Sequence, residues 1–247
     1  MSIIESYDPD RNAIVKPEFF APPQEGFPRV AVVTFHRDIA ALAPAKLGGE
    51  ILYQLAAGPV YKVRYRGVDI AIYQTFIGAA GTVGLAEEVH SLGAERFVVF
   101  GSCGALDREL TAGHWIIPTA AYRDEGTSYH YVPAADWIDV PTAGKTADIM
   151  AELGLPFVEG KTWTTDAIFR ETRRNVDARR EAGCITVEME CAALMAAAQH
   201  RGFEVYQLLY AADNLDCEVW DRREKEHGTM DAKEGYLRVA LEIAARL

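Results

Sequence analysis

Three predicted helices of this chain end in the same way, and this constrains the fold more than any other feature of the sequence. In each case a glycine follows the last helical turn and an extended apolar run begins soon after; the glycines are Gly93, Gly154 and Gly202. Glycine ends a helix well because, without a Cβ, it adopts a positive φ with little strain. Repeated helix–glycine–strand junctions are typical of crossover connections, which place helices outside a mostly parallel or mixed sheet.

Short apolar, β-branched runs supply the strands that this arrangement requires. The runs that predict buried strands are residues 29–35, 96–103, 114–122, 184–190 and 204–213. Residues 61–76 alternate in polarity around an Arg-Gly pair, which is typical of an antiparallel hairpin. The last segment, residues 229–247, has the pattern of an amphipathic surface helix. We therefore expect one α/β domain over residues 29–247, preceded by a proline-rich arm over residues 1–28.

Composition and charge exclude several classes of function. The 247 residues carry a net charge of −11, which argues against a nucleic-acid partner because such proteins cluster Lys and Arg against phosphates. No apolar run approaches the roughly 20 residues of a membrane span, and the first residues lack the order of a signal peptide. The four cysteines form no CxxC pair and the six histidines form no HxH or HExxH motif. We expect a cytoplasmic protein without a metal centre or a membrane partner.

Polar or glycine-rich residues follow three of the predicted strands at their carboxyl ends. These are the Gly101–Gly104 segment, the pair Glu188 and Glu190, and Asp213. Ligands of open α/β sheets bind outside the carboxyl ends of strands, so these residues predict one pocket. The Gly101–Gly104 segment offers backbone N–H groups and a hydroxyl to an oxyanion, or else forms a tight turn that requires glycine.

The acidic residues each have two interpretations. If the strand continues to Glu190, both glutamates lie on one face with Met189 on the other; if a helix begins at Met189, they diverge. A carboxylate that accepts hydrogen bonds from vicinal hydroxyls holds a ribose well, whereas a structural glutamate neutralises an arginine or caps a helix. Asp213, after an apolar strand, is either a general acid with a raised pKa or a helix cap or turn residue.

Five short motifs occur in order along the chain. They are GSCGA at residues 101–105, YHYVP at 129–133, TTDAIF at 164–169, VEMECAAL at 187–194 and AADN at 211–214. Together they resemble segments of the nucleoside phosphorylase superfamily, the group of hexameric purine nucleoside phosphorylases, uridine phosphorylases and methylthioadenosine/adenosylhomocysteine nucleosidases. The resemblance extends over most of the chain, and the Glu-Met-Glu motif with the downstream aspartate is its strongest part.

The resemblance implies a fold and a reaction. The fold would be a three-layer α/β/α sandwich around a mixed, partly closed central β-sheet, assembled as a homodimer or homohexamer. The reaction would be cleavage of the N-glycosidic bond of a purine nucleoside or uridine in nucleoside salvage. Phosphate would be the co-substrate, no cofactor would be needed, and the products would be a free base and (deoxy)ribose 1-phosphate.

The same resemblance assigns roles at the sugar and base ends of the pocket. Glu190 would bind the ribose hydroxyls, Met189 would pack on the sugar, and Glu188 would line the pocket for base and ribose. Asp213 would contact the base and protonate a purine as it leaves. Ile168 falls where the family stacks an aromatic ring on the base, and the adjacent Phe169 is the alternative for that contact.

The phosphate end departs from the family pattern. Gly101 and Ser102 would contact phosphate, and Arg37 is the candidate cation in a segment that lacks the family's Gly-Asp-Pro. Val99 stands where the phosphorylases carry a phosphate-binding arginine. Since a dianion needs cationic partners, two alternatives to a phosphorylase stay open. They are a nucleosidase that uses water and a nucleoside-binding protein without catalytic activity.

Overall fold

The computed structural model describes residues 2–110, 112–223 and 229–247. The strands in these ranges are β1 (Val30–Thr34), β2 (Glu50–Leu55), β3 (Gly58–Tyr65), β4 (Val68–Gln74), β5 (Arg96–Ala105), β6 (Trp115–Asp124), β7 (Trp137–Asp139), β8 (Phe157–Thr165), β9 (Cys184–Glu188) and β10 (Glu204–Asn214). The α-helices are α1 (Arg37–Ala40), α2 (Leu42–Lys46), α3 (Ala79–Leu92), α4 (Ser128–Tyr131), α5 (Ala143–Glu152), α6 (Arg173–Glu181), α7 (Cys191–Arg201) and α8 (Met230–Ala244).

Five of the strands close into a barrel. Around the ring β5 pairs with β10, then β6, β8 and β9 follow, and β9 returns to β5. From β5 the same sheet continues outward through β1, β4, β3 and β2, and β7 pairs with β6. Parallel and antiparallel pairs both occur, since β5 runs parallel to β1 and β10 but antiparallel to β9. The predicted mixed, partly closed sheet is confirmed.

Helices cover this sheet because the strands are apolar on both faces. All five residues of β1 are buried, and β10 is buried over most of its length. Helix α7 packs against α3, and its run of alanines and other small or apolar residues is buried almost all round. Helix α8 lies against β1 and β5 and also contacts α5. The three glycines predicted to end helices follow α3, α5 and α7, and each has a positive φ.

The secondary structure differs from the sequence prediction at several places. The prediction did not include β2 and β8, because β2 is a half-exposed edge strand and the first half of β8 is largely exposed. It also did not include the short strand β7 or the helices α1, α2, α4 and α6. Strand β9 ends at Glu188, two residues before the predicted end, since Glu190 already serves as the N-cap residue of α7. The hairpin of β3 and β4 is confirmed and turns at Arg66 and Gly67, both with positive φ.

The N-terminal segment up to residue 28 lies against the body of the domain. It contains two short 3-10 turns, and the backbone N–H of Gln24 donates to the carbonyl of Leu92 at 3.0 Å. Ala21 and Phe27 are buried, whereas Phe19 and Phe20 are exposed. No helix among the described residues is long and apolar enough to cross a membrane.

Candidate active site

A cavity of about 670 Å³ opens where β1, β5, β9 and β10 end. Most of the residues predicted to form the site line it, namely Ser102, Ile168, Phe169, Glu188, Met189, Glu190 and Asp213. Gly101 and Arg37 are not among its lining residues. Further lining residues that were not predicted are Phe35, His36, Ile77, Glu171, Arg173 and Trp220. The closed barrel therefore brings together side chains that lie more than a hundred residues apart.

Glu188 is held on both carboxylate oxygens at the junction of β9 and α7. Its Oε2 accepts hydrogen bonds from the backbone N–H groups of Glu190 at 2.8 Å and Cys191 at 2.6 Å. Its Oε1 accepts from the Thr164 hydroxyl at 2.5 Å. The two backbone N–H groups lie at the positive end of α7, where a carboxylate is stabilised. Glu188 thus caps the helix, while its predicted contact with base and ribose stays a prediction.

Glu190 points in another direction from the same junction. Its Oε1 accepts a hydrogen bond from the backbone N–H of Gly78 at 2.5 Å, at the start of α3. The residue is only 7% exposed, and it lines the cavity. Burial, followed by the nearby negative charge of Glu188, raises its pKa. Since three donors hold Glu188 and fewer hold Glu190, Glu190 is the carboxyl group of the pair that more readily holds a proton.

This arrangement predicts a pH-dependent stability. The folded-state pKa of Glu190 is raised above its ordinary value of 4.5, so its contribution is fully present below pH 4.5 and is lost as the pH rises through the folded-state pKa. Glu190→Gln removes this loss. We expect the free energy of unfolding of the variant, relative to the native protein, to increase by about 1 kcal/mol or more between pH 5 and pH 8.

Urea denaturation at the two pH values measures this difference. The matched control is Glu152→Gln, which changes an exposed glutamate of α5. A difference for Glu190→Gln that stays constant with pH, or that shrinks as pH rises, would contradict the raised pKa.

Asp213 faces the cavity from the end of β10, just after an irregularity in the pairing with β5. Its Oδ2 accepts a hydrogen bond from the indole N–H of Trp220 at 2.6 Å. Burial raises the pKa of Asp213, and the Trp220 donor opposes that rise. Gly104 on β5 makes room here, because a Cβ at this position would lie 2.5 Å from Leu215 Cδ1 and 3.3 Å from Asp213 Oδ1.

Glu171 is a second acid at the same end of the cavity. Burial and the negative charge of Asp213 raise its pKa to about 7. The sequence carried a weak signal for it, because it stands two residues after Phe169 in the charged RETRR run. Arg173 follows, and its guanidinium donates to the carbonyls of Leu215 and Cys217, which fastens the segment after β10.

Apolar side chains form the rim of this end. Ile168 is 49% exposed, Phe169 is 95% exposed and Trp220 is 58% exposed. Large exposed apolar groups around a concave site are typical of ligand contact. Both predicted base-contacting residues are therefore available at the mouth of the cavity, and their contact with a base stays a prediction.

The opposite end of the cavity, where phosphate is predicted to bind, contains few cations. Ser102 is accessible there, but the ring of Phe35 packs over Gly101, so that a Cβ on Gly101 would lie 2.8 Å from two ring carbons. Val99 is buried in the core and Arg37 is exposed away from the lining. Arg173, at the base end, is the sole guanidinium or ammonium group among the described lining residues. The phosphate contacts of Gly101, Ser102 and Arg37 remain predictions.

The described residues contain no group of three or more His, Cys, Asp or Glu side chains arranged to hold a metal ion. Three of the four cysteines, Cys103, Cys184 and Cys191, are buried as free thiols. Burial raises the pKa of Cys103, which lines the cavity, far above that of a reactive thiol. Among the described lining residues, the groups suited to proton transfer are thus the carboxyl groups at the sugar and base ends and the imidazole of His36.

Residues 29–246 match the sequence pattern of the Phosphorylase superfamily. The protein belongs to this family. Curated relatives of this superfamily member include the guanosine phosphorylase of Halorubrum lacusprofundi, 29% identical over 67% of this chain and 70% of that protein. The uridine phosphorylase of Thermococcus kodakarensis is 34% identical over 53% of each chain, so this chain spans about half of that relative's length.

Solved structures show the same fold. The purine nucleoside phosphorylase of Toxoplasma gondii, in complex with immucillin-H, superposes with a TM-score of 0.75 at 20% identity, covering 96% of this chain and 98% of that one. The uridine phosphorylase of Vibrio fischeri gives a TM-score of 0.77 at 20% identity over 96% and 100%. The AMP nucleosidase of Bacteroides thetaiotaomicron gives 0.69 at 18% identity over 88% and 87%. The predicted family and fold are confirmed.

Proposed function

We propose that the protein is a nucleoside phosphorylase, which cleaves the N-glycosidic bond of a purine nucleoside or uridine with phosphate. The observation that carries this proposal is the presence of Glu190 and Asp213 in one cavity, with Glu190 at the start of α7 just after β9 and Asp213 at the end of β10. One buried carboxylate suits the sugar hydroxyls, and the other suits the departing base. Membership of the Phosphorylase superfamily supports the same reaction class.

At the sugar end, Glu190 accepts hydrogen bonds from the two ribose hydroxyls. Two O–H donors stabilise the ionised carboxylate and so lower the pKa that burial has raised. Substrate binding therefore releases the proton that Glu190 holds in the empty site. Met189, on the same lining, supplies the apolar surface for the sugar ring.

At the base end, Asp213 protonates the leaving base as the C1′–N bond breaks and positive charge develops on the ribose. A raised pKa favours the protonated form that this step requires. Ile168 and Phe169 cover the face of the base. Ser102 is a ligand for the phosphate, which is the co-substrate, and no cofactor takes part.

A panel of nucleosides, incubated with and without phosphate, tests the proposal. Chromatography of the products should show free base and pentose 1-phosphate when phosphate is present. A purine nucleoside and uridine should be compared in the same assay, because the rim residues accommodate either ring. Binding of nucleosides without turnover in both buffers would refute the proposed activity.

Hydrolysis is the second candidate reaction. It is favoured by the scarcity of cations around Ser102, because Val99 is not an arginine and the guanidinium of Arg173, the one such group among the described lining residues, is at the base end. The similarity in fold to an AMP nucleosidase is compatible with it. Release of free pentose in phosphate-free buffer would identify this reaction.

A substitution of Trp220 tests the proposed role of Asp213 as the general acid. Trp220→Phe keeps an aromatic ring but removes the N–H that donates to Asp213 Oδ2. Since that donor lowers the pKa of Asp213, its loss should raise the pKa and move the alkaline limb of the kcat/KM profile to higher pH. The profile of native and variant protein between pH 5 and pH 9 measures the shift. A limb that moves to lower pH would contradict the assignment of Asp213 as the acid.

We also propose that the protein is a cytoplasmic homodimer or homohexamer. Phe19 and Phe20 of the arm and Ile51 of β2 are exposed apolar side chains, and the Tyr53 hydroxyl donates to the Phe20 carbonyl, so they form one surface. β2 is an end strand of the sheet among the described residues, and uncovered edges promote association. Light scattering coupled to gel filtration measures the assembly.

The free thiols support the proposed cytoplasmic location, because the cytoplasm is a reducing compartment.

A further inference from the structure

The part of the cavity around Ser102 is built by three neighbouring strands. In the register of the sheet Thr34 of β1 lies beside Phe100 of β5, so the chain after β1 passes alongside Ser102. On the other side of β5, Tyr210 of β10 lies beside Ser102. His36 and Ser102 both line the cavity at this place. Phe35 packs over the backbone of Gly101, and the next residue, His36, presents a titratable side chain to the cavity.

His36 is oriented by a fixed hydroxyl. Its Nε2 lies 3.2 Å from the Tyr210 hydroxyl. Tyr210 is stacked on Tyr236 at 4.0 Å between ring centroids and also meets the edge of Trp115, so its position is well defined. Burial raises the pKa of Tyr210, and the hydroxyl therefore keeps its proton at neutral pH. An imidazole held in this way faces the cavity in a set orientation.

The surroundings of His36 favour the neutral imidazole. Partial burial lowers its pKa, and so does the positive charge of Lys233 on α8. Asp38, in the turn after His36, opposes them, but it is engaged by Lys233 at 2.8 Å. Tyr210, whose hydroxyl contacts the imidazole, is uncharged at neutral pH. A neutral imidazole accepts a proton and does not bind a dianion strongly.

We propose that His36 is the base that takes the proton of the attacking nucleophile. The nucleophile is an oxygen that carries a proton, either water or dihydrogen phosphate. This inference rests on the proposed glycosidic cleavage and adds the group that serves its other end.

The step balances with the groups that line the cavity. A bond forms between the nucleophile oxygen and C1′ while the C1′–N bond breaks, and the bonding pair leaves with the base. The base takes its proton from Asp213, and the proton of the nucleophile passes to Nδ1 of His36, whose Nε2–H donates to the Tyr210 hydroxyl oxygen. Exchange with solvent then returns His36 to its neutral form and Asp213 to its acid form. The products are free base with either pentose or pentose 1-phosphate, according to the nucleophile.

The test compares the native protein with His36→Gln and Lys233→Met in buffers with and without phosphate. His36→Gln should lower kcat by about 10²-fold or more, the usual contribution of a general base, with little change in KM. The acid limb of the kcat profile, which reports the substrate complex in which Glu190 is already ionised, should disappear. Lys233→Met should retain activity and move that limb to higher pH, because the charge that lowers the pKa of His36 is gone.

His130→Gln is the matched control, since His130 is exposed on α4 and outside the cavity lining. Circular dichroism checks that each variant is folded. Pentose in phosphate-free buffer identifies water as the nucleophile, and pentose 1-phosphate identifies phosphate; either product supports the inference when the acid limb depends on His36. An unchanged acid limb in His36→Gln, with cleavage intact, overturns the role of His36 alone. No cleavage by the native protein in either buffer overturns the proposed function and this role with it.

Discussion

Glu190→Ala is expected to reduce kcat/KM for ribonucleosides by roughly 10²–10⁴-fold, because each hydrogen bond to a charged group contributes about 1.5–3 kcal/mol and two would be lost. The fold should survive, since Glu188 supplies the helix-capping hydrogen bonds at this junction. Steady-state kinetics with the best nucleoside of the panel measures the loss, and urea denaturation measures the stability.

Substrates with fewer hydroxyls provide the control for this prediction. If Glu190 binds the 2′- and 3′-hydroxyls, a 2′,3′-dideoxynucleoside should react slowly with the native protein and be nearly insensitive to Glu190→Ala. Ribonucleoside turnover that is undiminished in the variant would refute the ribose-binding role. An equal loss on both substrates would place the effect in the stability of the junction and not in sugar recognition.

Asp213→Asn is expected to have a comparable effect, at the other end of the bond. A general acid typically contributes 10²–10⁴-fold, and the amide cannot donate a proton to the leaving base. The substitution is nearly isosteric and keeps an oxygen for the Trp220 N–H, so the local packing should be retained. The measurement is kcat on a purine nucleoside at the optimal pH, with the melting temperature as the test of folding.

A leaving group that needs no proton separates chemistry from binding. A p-nitrophenyl riboside releases the stable p-nitrophenolate anion, which needs no proton. Its cleavage should therefore be almost unaffected by Asp213→Asn. A loss of less than about tenfold on the purine nucleoside would contradict the acid role. A large loss on the p-nitrophenyl riboside as well would show that Asp213 holds the structure of the site and does not act as the acid.

Local patterns predicted the layered α/β fold and most of its elements. The glycines after α3, α5 and α7 marked the crossovers, because a positive φ at a helix end is a requirement of the backbone and does not depend on distant contacts. Strands β2 and β8 escaped prediction, since an edge strand and a half-exposed strand lack the uniform apolar pattern. The closure of five strands into a barrel depends on pairing between distant segments, which periodicity does not report.

The residues at the sugar and base ends of the cavity were also predicted from local sequence patterns. Glu190 and Asp213 stand beside recognisable motifs, and each lies at a strand end whose place in the sheet follows from the fold. Glu171 and Trp220 were not predicted, because they lie in segments after β8 and β10 that have no regular sequence pattern. The charge interaction of Glu171 with Asp213 and the hydrogen bond from Trp220 to Asp213 exist only in the folded chain.

Sequence patterns alone thus identified the fold class, the family and the two carboxylates, Glu190 and Asp213, that line the cavity. The different contacts of the two glutamates follow only from the tertiary structure. The end of β9 and the start of α7 place the Glu188 carboxylate on backbone donors and turn Glu190 toward Gly78. The tertiary structure also decided the composition of the nucleophile end. Only the pairing of β1, β5 and β10 brings His36 beside Ser102 and Tyr210 and packs Phe35 over Gly101. Such side-by-side contacts depend on strand register, and the register is set by the whole sheet and not by any one segment.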